Sequence, residues 1–444
     1  MNKVDILNLE WTSYPSRDRN TATIVCNYLQ FVGLKVAEHS VFRGFEMIDK
    51  LHPKILFITN GIGATINFEL VKYASLKGIK VVTLTSEGIF FDSEKDLFPF
   101  LWGWNLDHLL YEDVNMQWSD RTRNTTLTVY PDLKDKIKTS GGVGFDYYKI
   151  HPCINKKEFL IKHKKESFSQ IIGVGCWNFD LVTYSLDFFS YFNELDNIRF
   201  GKDRDSFNKI ILDIIEKNSD KLFLLKEHPG SGGSHISAIE GAENYSNVLI
   251  LKKEPIADCI AASDFWLTYE STTVIEAWLL GKQTCLLNPS GTDFKRANVH
   301  FGSPNYPDVK SLQAAIDHFY KMNELPGFSE MEEERKNVVK NTIQWNDGLN
   351  HVRAGNEIIR ILTENKQKGK TKIPFDLKKK KWKQFLLSRG FPRKKNNFIY
   401  DQLKAFNKEE LNSFNQLIYD QQIKFYDSCK LSLYDLKEIK CCSE

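Results

Sequence analysis

KLFLLKEHPG, residues 221–230, decides how this chain is read. Leu222, Phe223, Leu224 and Leu225 form a short continuous apolar run, the pattern of a strand buried on both faces of a parallel sheet. The run stops at Glu227-His228-Pro229-Gly230. Proline fixes its own φ and drives the residue before it out of the helical region, so His228 is held extended at the end of a strand. Open parallel sheets bind ligands outside the carboxyl ends of their strands. An imidazole is therefore placed where a ligand would sit.

The surroundings repeat the pattern. SFSQIIGVGCW (167–177), NVLILKKE (247–254), DFWLTYESTT (264–273) and KQTCLLNPSG (282–291) read as further strands. Helical patterns at 203–218, 255–262 and 273–281 alternate with them. An earlier series has the same form: VDILNLEW (4–11), LKVAEHSV (34–41), ILFITNGIG (55–63) and IKVVTLTSEG (79–88). Strand runs alternating with helical segments predict doubly wound parallel sheets. The expectation is an α/β chain with Rossmann-like domains at 1–150 and 165–345, a bracing helix at 346–365 and a helical extension at 366–444.

Composition bounds the class. The chain has 444 residues, 42% hydrophobic and 26% charged, which suits two globular domains. No apolar run approaches the roughly 18 residues of a membrane span, and Asp5 and Glu10 interrupt the first apolar segment, which excludes a signal peptide from the reading. The eight cysteines form no C-x-x-C pair, so reduced thiols in a cytoplasmic protein are expected. No compact His, Cys, Asp or Glu spacing marks a metal site, and no cofactor is expected.

Charge is uneven. Residues 366–444 hold 19 Lys and Arg against 9 Asp and Glu, while the whole chain is at +3. The stretch 366–395 mixes basic residues with Trp382, Phe385 and Phe391. It reads either as a solvated helical appendage that packs its aromatics on the body or as a contact with anionic lipid at the inner membrane face; in the second case removal of everything past about residue 365 is expected to leave the rest of the chain functional. No nucleic-acid module is recognisable.

Ser271, Thr272 and Thr273 open the helix after the strand ending at Tyr269-Glu270. Hydroxyl residues there cap free N–H groups and suit an anion. Together with His228 they suit a phosphate. This order of His-Pro followed by a Ser/Thr cluster with Glu276-Ala277 and Gly281-Lys282 behind it resembles bacterial GT-B glycosyltransferases of the sialyltransferase, Kdo-transferase and surface carbohydrate biosynthesis group. Weaker likenesses are Arg17-Asp18, Trp102-Gly103 and Asp347-Gly348. The resemblance covers about residues 1–365 and implies two Rossmann-like domains facing across a cleft. It implies that His228, Pro229 and Gly230 with Glu270, Ser271, Thr272 and Thr273 hold the nucleotide phosphate of a CMP-sugar. It implies that an acidic residue ahead of a glycine in the first half is the general base. Here Ser86-Glu87-Gly88 fills that place with one acid instead of two, so the role rests on Glu87, with Asp18 as the second candidate.

Gly173 and Gly175 are expected to let the donor approach the backbone, and Arg17, Asn60 and Gly61 to serve the acceptor. Gly141-Gly142-Val143-Gly144 lacks the lysine and helix start of a phosphate loop and reads as a tight turn. The expected activity is metal-independent transfer of a CMP-activated acidic sugar, such as a nonulosonic acid or Kdo, to a surface glycan or lipid-linked acceptor. A CDP-glycerol-type polyol-phosphate transferase or a UDP- or GDP-sugar enzyme would use the same residues. A catalytically silent binding protein of this fold is the alternative outside the enzymes.

Overall fold

A computed structural model describes residues 3–11, 17–85, 97, 101–177, 179, 194–228, 239–269, 271–291, 301–364, 368–391, 397–405 and 408–441. The chain divides into two compact units, Met1–His151 with Lys340–Glu444 and Pro152–Val339.

The first unit is built on six parallel strands in the order β2-β1-β3-β4-β5-β6. They are β1 Ile6–Glu10, β2 Val36–Ser40, β3 Ile55–Thr59, β4 Lys80–Leu84, β5 Val114–Gln117 and β6 Ile137–Thr139. Between them run α1 Arg17–Phe31, α2 Gly44–Leu51, α3 Thr65–Leu76 and α4 Asp120–Val129, with α5 Tyr147–Ile150 after the last strand. Strands β1 and β3 are buried at every position, as their unbroken apolar pattern requires when helices cover both faces. The short strands β5 and β6 escape a sequence reading because VNMQ and IKT carry polar residues.

The second unit has five parallel strands in the order β11-β10-β7-β8-β9. It starts with α6 Lys156–Lys162, then β7 Ile171–Gly175, α7 Glu194–Lys217, β8 Leu222–Lys226, β9 Val248–Leu251, α8 Ile256–Ala262, β10 Phe265–Thr268, α9 Thr273–Leu279, β11 Gln283–Leu286 and α10 Val309–Met322. The chain leaves this unit within α11, Glu332–Ile343.

Boundaries differ from the expected 150, 165 and 345. Residues 152–164 belong to the second unit because Phe159 and Leu160 share a buried cluster with Ile171 and Leu222. Residues 340–345 belong to the first. There Ile343 is buried, its carbonyl accepts from the Gly142 N–H at 2.9 Å, and Gln344 accepts from the Asp120 N–H at 2.8 Å.

The expected bracing helix is α12 Asn350–Thr363, which packs within the first unit, chiefly on α1. The extension follows as α13 Phe375–Ser388, α14 Phe398–Ala405, α15 Lys408–Ser428 and α16 Leu433–Glu438. It is part of the same core. Leu377 joins the cluster of Leu7, Leu9, Phe45 and Val71, and Ile418 joins that of Ile6, Val25 and Met116. The Gln422 side chain donates to the Ile24 carbonyl at 2.8 Å and accepts from Asn27 at 2.9 Å. A fully buried relay ties α15 to α12: the Asp146 carboxylate sits 2.8 Å from His351 Nδ1, and His351 Nε2 sits 2.6 Å from the Tyr426 hydroxyl. The expectation that the enzyme survives loss of the extension is thereby corrected. Burying one large apolar side chain is worth about 1.5–3 kcal/mol. Removal of Leu377, Ile418, Tyr426 and Leu436 together would cost as much as a whole domain's stability, about 5–15 kcal/mol.

No helix among the described residues is long and apolar enough to cross a membrane. The seven described cysteines are free thiols.

Candidate functional site

Each sheet reverses its strand order at one point, and open α/β sheets bind ligands there. In the first unit that point lies between β1 and β3, because β2 is laid on one side of β1 and β3 on the other. Glu10 closes β1 and Thr59 closes β3. The Glu10 carboxyl is 6% exposed and accepts from the Thr59 N–H at 2.9 Å, the Thr59 hydroxyl at 2.6 Å and the Asn8 amide at 3.1 Å. Burial pushes its pKa well above the ordinary carboxylate range; the Thr59 hydroxyl opposes the shift and the negative charge of Asp18 adds to it. Loss of water around such a carboxyl disfavours its charged form.

The next residue of that loop, Asn60, has φ +45° and donates to Asp18 Oδ2 at 3.2 Å. Asn67 in turn donates to the Asn60 carbonyl at 3.1 Å and accepts from the Trp11 indole at 3.2 Å. Asp18, the second candidate for the general base, and Asn60, expected to serve the acceptor side, thus meet at the switch point of the first sheet. Gly61 has a packing reason of its own: a Cβ there would come within 2.6 Å of Thr83 Cγ2 on β4. Arg17 is the first residue of α1. Glu87 lies outside the described residues.

Behind Asp18, α1 is held in place by the extension. Asn415 on α15 donates to Glu38 of β2 at 3.1 Å. Burial raises the Glu38 carboxyl to about 7, against the opposing charge of Arg19 and that hydrogen bond. Glu10, Glu38 and Asn415 were missed by sequence reading. Glu10 carries a usable signal, an acid closing an otherwise apolar strand. Asn415 carries none, because its distance in sequence from Glu38 says nothing about their contact.

In the second unit the reversal lies between β7 and β10. Ser271, Thr272 and Thr273 follow β10 directly at that point, and His228 follows β8 on the other side of β7. Lys226 and Thr268 both pair with Gly175, so their Cα atoms stand two strand spacings apart, about 10 Å. His228 is half-buried, just beyond Glu227, whose N–H donates to the Leu251 carbonyl at 2.9 Å. The Ser271 hydroxyl accepts from the Thr273 N–H at 3.3 Å, and the Thr273 hydroxyl accepts from the Trp266 indole at 2.9 Å. The Ser271 hydroxyl is thus taken up by the Thr273 N–H and Thr273 is anchored to the core, which leaves the half-buried side chain of Thr272, the N-cap position, as the least committed hydroxyl of the three. Helix α9 has only seven residues, so its dipole adds little.

Gly173 makes room for the protein itself. A Cβ there would fall 2.3 Å from Ser263 Oγ and 2.4 Å from the Trp266 ring. At Gly175 the nearest atoms are Thr273 Oγ1 and Trp266 Nε1, each at 3.1 Å. Sequence reading also missed Asp203, buried on α7, which accepts from the hydroxyls of Tyr269 and Ser290 and so ties together the loops after β10 and β11. Pro229, Gly230 and Glu270 lie outside the described residues. Among the described residues no group of three or more His, Cys, Asp or Glu side chains is gathered as a metal site.

No family model matches the sequence, and no curated protein does. Solved structures do match. A protein assigned as a UDP-N-acetylglucosamine 2-epimerase from Listeria monocytogenes superposes with a TM-score of 0.55 at 11% identity, covering 84% of this chain and 100% of its own. MnaA of S. aureus in complex with UDP gives 0.52 at 12% identity, covering 83% and 100%. The wall teichoic acid polymerase TagF, in a structure with CDPG, gives 0.50 at 11% identity, covering 81% and 89%. Likenesses at such identities speak for the fold alone. The chain has the GT-B type of fold, two parallel-sheet α/β domains each with its own switch point, followed by a helical extension.

Proposed function

We propose that the protein is a glycosyltransferase that moves a sugar from a nucleotide-activated donor to a glycan or lipid-linked acceptor. One observation carries the proposal: His228 and Ser271–Thr273 flank β7 at the carboxyl edge of the second sheet, with the hydroxyl cluster at the switch point. The second unit is the donor side. Thr272 and the backbone N–H groups around it hold the phosphate, and His228 hydrogen-bonds or protonates it as it departs. Such groups stabilise charge where it develops, which lowers the barrier to departure. The first unit is the acceptor side. Glu87 takes the proton of the attacking hydroxyl, with Asp18 in reserve, since that step needs a general base within hydrogen-bond reach. The charge is met by these side chains, and transfer is metal-independent.

For the donor we propose a CMP-activated acidic sugar, on the order and spacing of the His-Pro, Ser/Thr and Glu-Gly motifs, in the making of a surface polysaccharide. A CDP-polyol or UDP-sugar donor is the second reading. It is favoured by the similarity of fold to TagF, seen with CDPG, and to MnaA, seen with UDP.

Thermal shifts of the full chain with CMP, CDP, UDP and GDP test the proposal. Stabilisation by CMP above the others supports the first reading, and by CDP or UDP the second. No shift with any of them, at concentrations up to several millimolar, would leave no donor site to defend. Transfer that survives in Glu87→Gln moves the base to Asp18, and transfer lost on adding EDTA ends the metal-independent scheme.

A further inference from the structure

We propose that the outward face of α13, with the loop at 104–110 beside it, is a docking surface for an anionic phospholipid bilayer. This goes beyond the transfer reaction and stands without it.

Helix α13 has two faces. Leu377 and Gln384 turn inward, Gln384 donating to the Val41 carbonyl at 3.1 Å, and Lys381 pairs with Asp49. Phe375, Lys378, Lys379, Trp382 and Lys383 turn outward at helical spacing. Phe375 is 82% exposed and Trp382 62%, a large apolar area to leave in water. Trp382 stacks on Phe385 with ring centroids 5.5 Å apart, and the Arg389 guanidinium lies 3.6 Å over the other ring. A groove of about 280 Å³ floored by Phe42, Phe45 and Phe385 opens beside this stack.

A second apolar projection lies close by. Lys380 of α13 pairs with Glu69 of α3 at 2.7 Å, and one helical turn on, Lys72 pairs with Asp107 at 2.6 Å. That chain of contacts sets Leu106, 82% exposed, and Leu109, 59% exposed, next to α13.

Charge selects the partner. Residues 368–391 carry nine Lys and Arg against the single acid Asp376. Asp113, Glu69, Asp49 and Glu46 of the body answer Lys368, Lys380, Lys381 and Arg389. Lys370, Lys372, Lys378, Lys379 and Lys383 are exposed and form no ion pair among the described residues. Lysines beside exposed Trp and Phe are the composition of a membrane interface, where rings enter the headgroup layer and cations meet anionic lipid. Nucleic acid would use the lysines and the rings, but Leu106 and Leu109 offer it no stacking surface.

The test is cosedimentation of the full chain with vesicles of phosphatidylglycerol and phosphatidylcholine, and with pure phosphatidylcholine, at low and high salt. The parent should bind the anionic vesicles far more strongly than the neutral ones at low salt and keep a residual fraction at high salt, where the Debye length shrinks to a few ångströms. Replacing Lys378, Lys379 and Lys383 by Ala should weaken binding about a hundredfold, near fivefold for each lysine. Phe375→Ser with Trp382→Ser should abolish the residual fraction. Melting temperatures of both variants should match the parent, since Leu377 and Gln384 are untouched. Parent protein that ignores anionic vesicles, or variants that bind like the parent, would overturn the proposal. Binding of a single-stranded oligonucleotide in place of vesicles would also overturn it and assign the face to nucleic acid. Nucleotide thermal shifts on the same samples keep the two proposals apart: vesicle binding without any nucleotide shift removes the transfer reading only.

Discussion

Glu10 offers a pair of substitutions whose outcomes diverge with pH. Its carboxyl is buried, receives three hydrogen bonds from Thr59 and Asn8, and has its pKa pushed upward first by that burial. With its folded-state pKa raised, the folded chain gives up this proton at a higher pH than the unfolded chain does. The stabilising contribution of a group with a raised folded-state pKa is complete below the unfolded value, about 4.3, and is lost as pH rises through the folded one. The loss is about 1.4 kcal/mol for each pH unit between the two. Glutamine reproduces the protonated shape: its carbonyl accepts from the Thr59 N–H and its amide donates to the Thr59 hydroxyl. Glu10→Gln should equal the parent near pH 4, grow more stable than the parent toward pH 8, and flatten that part of the stability profile. Alanine strands the Thr59 N–H, while the Asn8 amide keeps its bond to the Phe57 carbonyl. A buried orphan costs about 1–3 kcal/mol, so Glu10→Ala should fall below Glu10→Gln by about that much at every pH, and its deficit against the parent should shrink as pH rises. Thermal unfolding across this pH range is the assay. A glutamine variant less stable than the parent at pH 8 would mean that the folded carboxyl is ionised and would falsify the reasoning.

Further outcomes follow from the same geometry. His228→Ala should lower turnover by about 10²–10⁴ if the imidazole is the general acid, while the nucleotide thermal shift persists; unchanged turnover would remove it from the site. Thr272→Val should weaken nucleotide binding more than Thr273→Val, because the Thr273 hydroxyl is held by Trp266; titration of the favoured nucleotide decides the order. Tyr426→Phe keeps the ring stacked on His351 but leaves the buried Nε2 without its hydroxyl, so a loss of about 1–3 kcal/mol in unfolding experiments is expected. Gly173→Ala should be destabilising by about 1–3 kcal/mol through overlap with Trp266, and an unchanged melting temperature would show that the strand can shift aside.

Sequence alone determined what is written in local pattern. Apolar runs alternating with helical segments specify parallel strands buried on both faces, because each strand must lose its water on both sides. The punctuation at His228-Pro229 and at Ser271–Thr273 marked strand ends, and ligands of such sheets gather at strand ends. Tertiary structure decided what depends on partners distant in the chain. Whether a glycine serves a ligand or a neighbour is set by what faces it, and Trp266 faces Gly173. Whether a hydroxyl is open or committed depends on a donor such as the Trp266 indole at Thr273. The upward shift of the Glu10 pKa follows from burial by groups that its own strand does not reveal. The extension shows the division most plainly. Its basic, aromatic composition was legible in the sequence, but α13 and α15 are core helices because Leu377, Ile418 and Tyr426 find apolar or hydrogen-bonding partners hundreds of residues earlier. Composition counts side chains, whereas only packing says which of them remain in water.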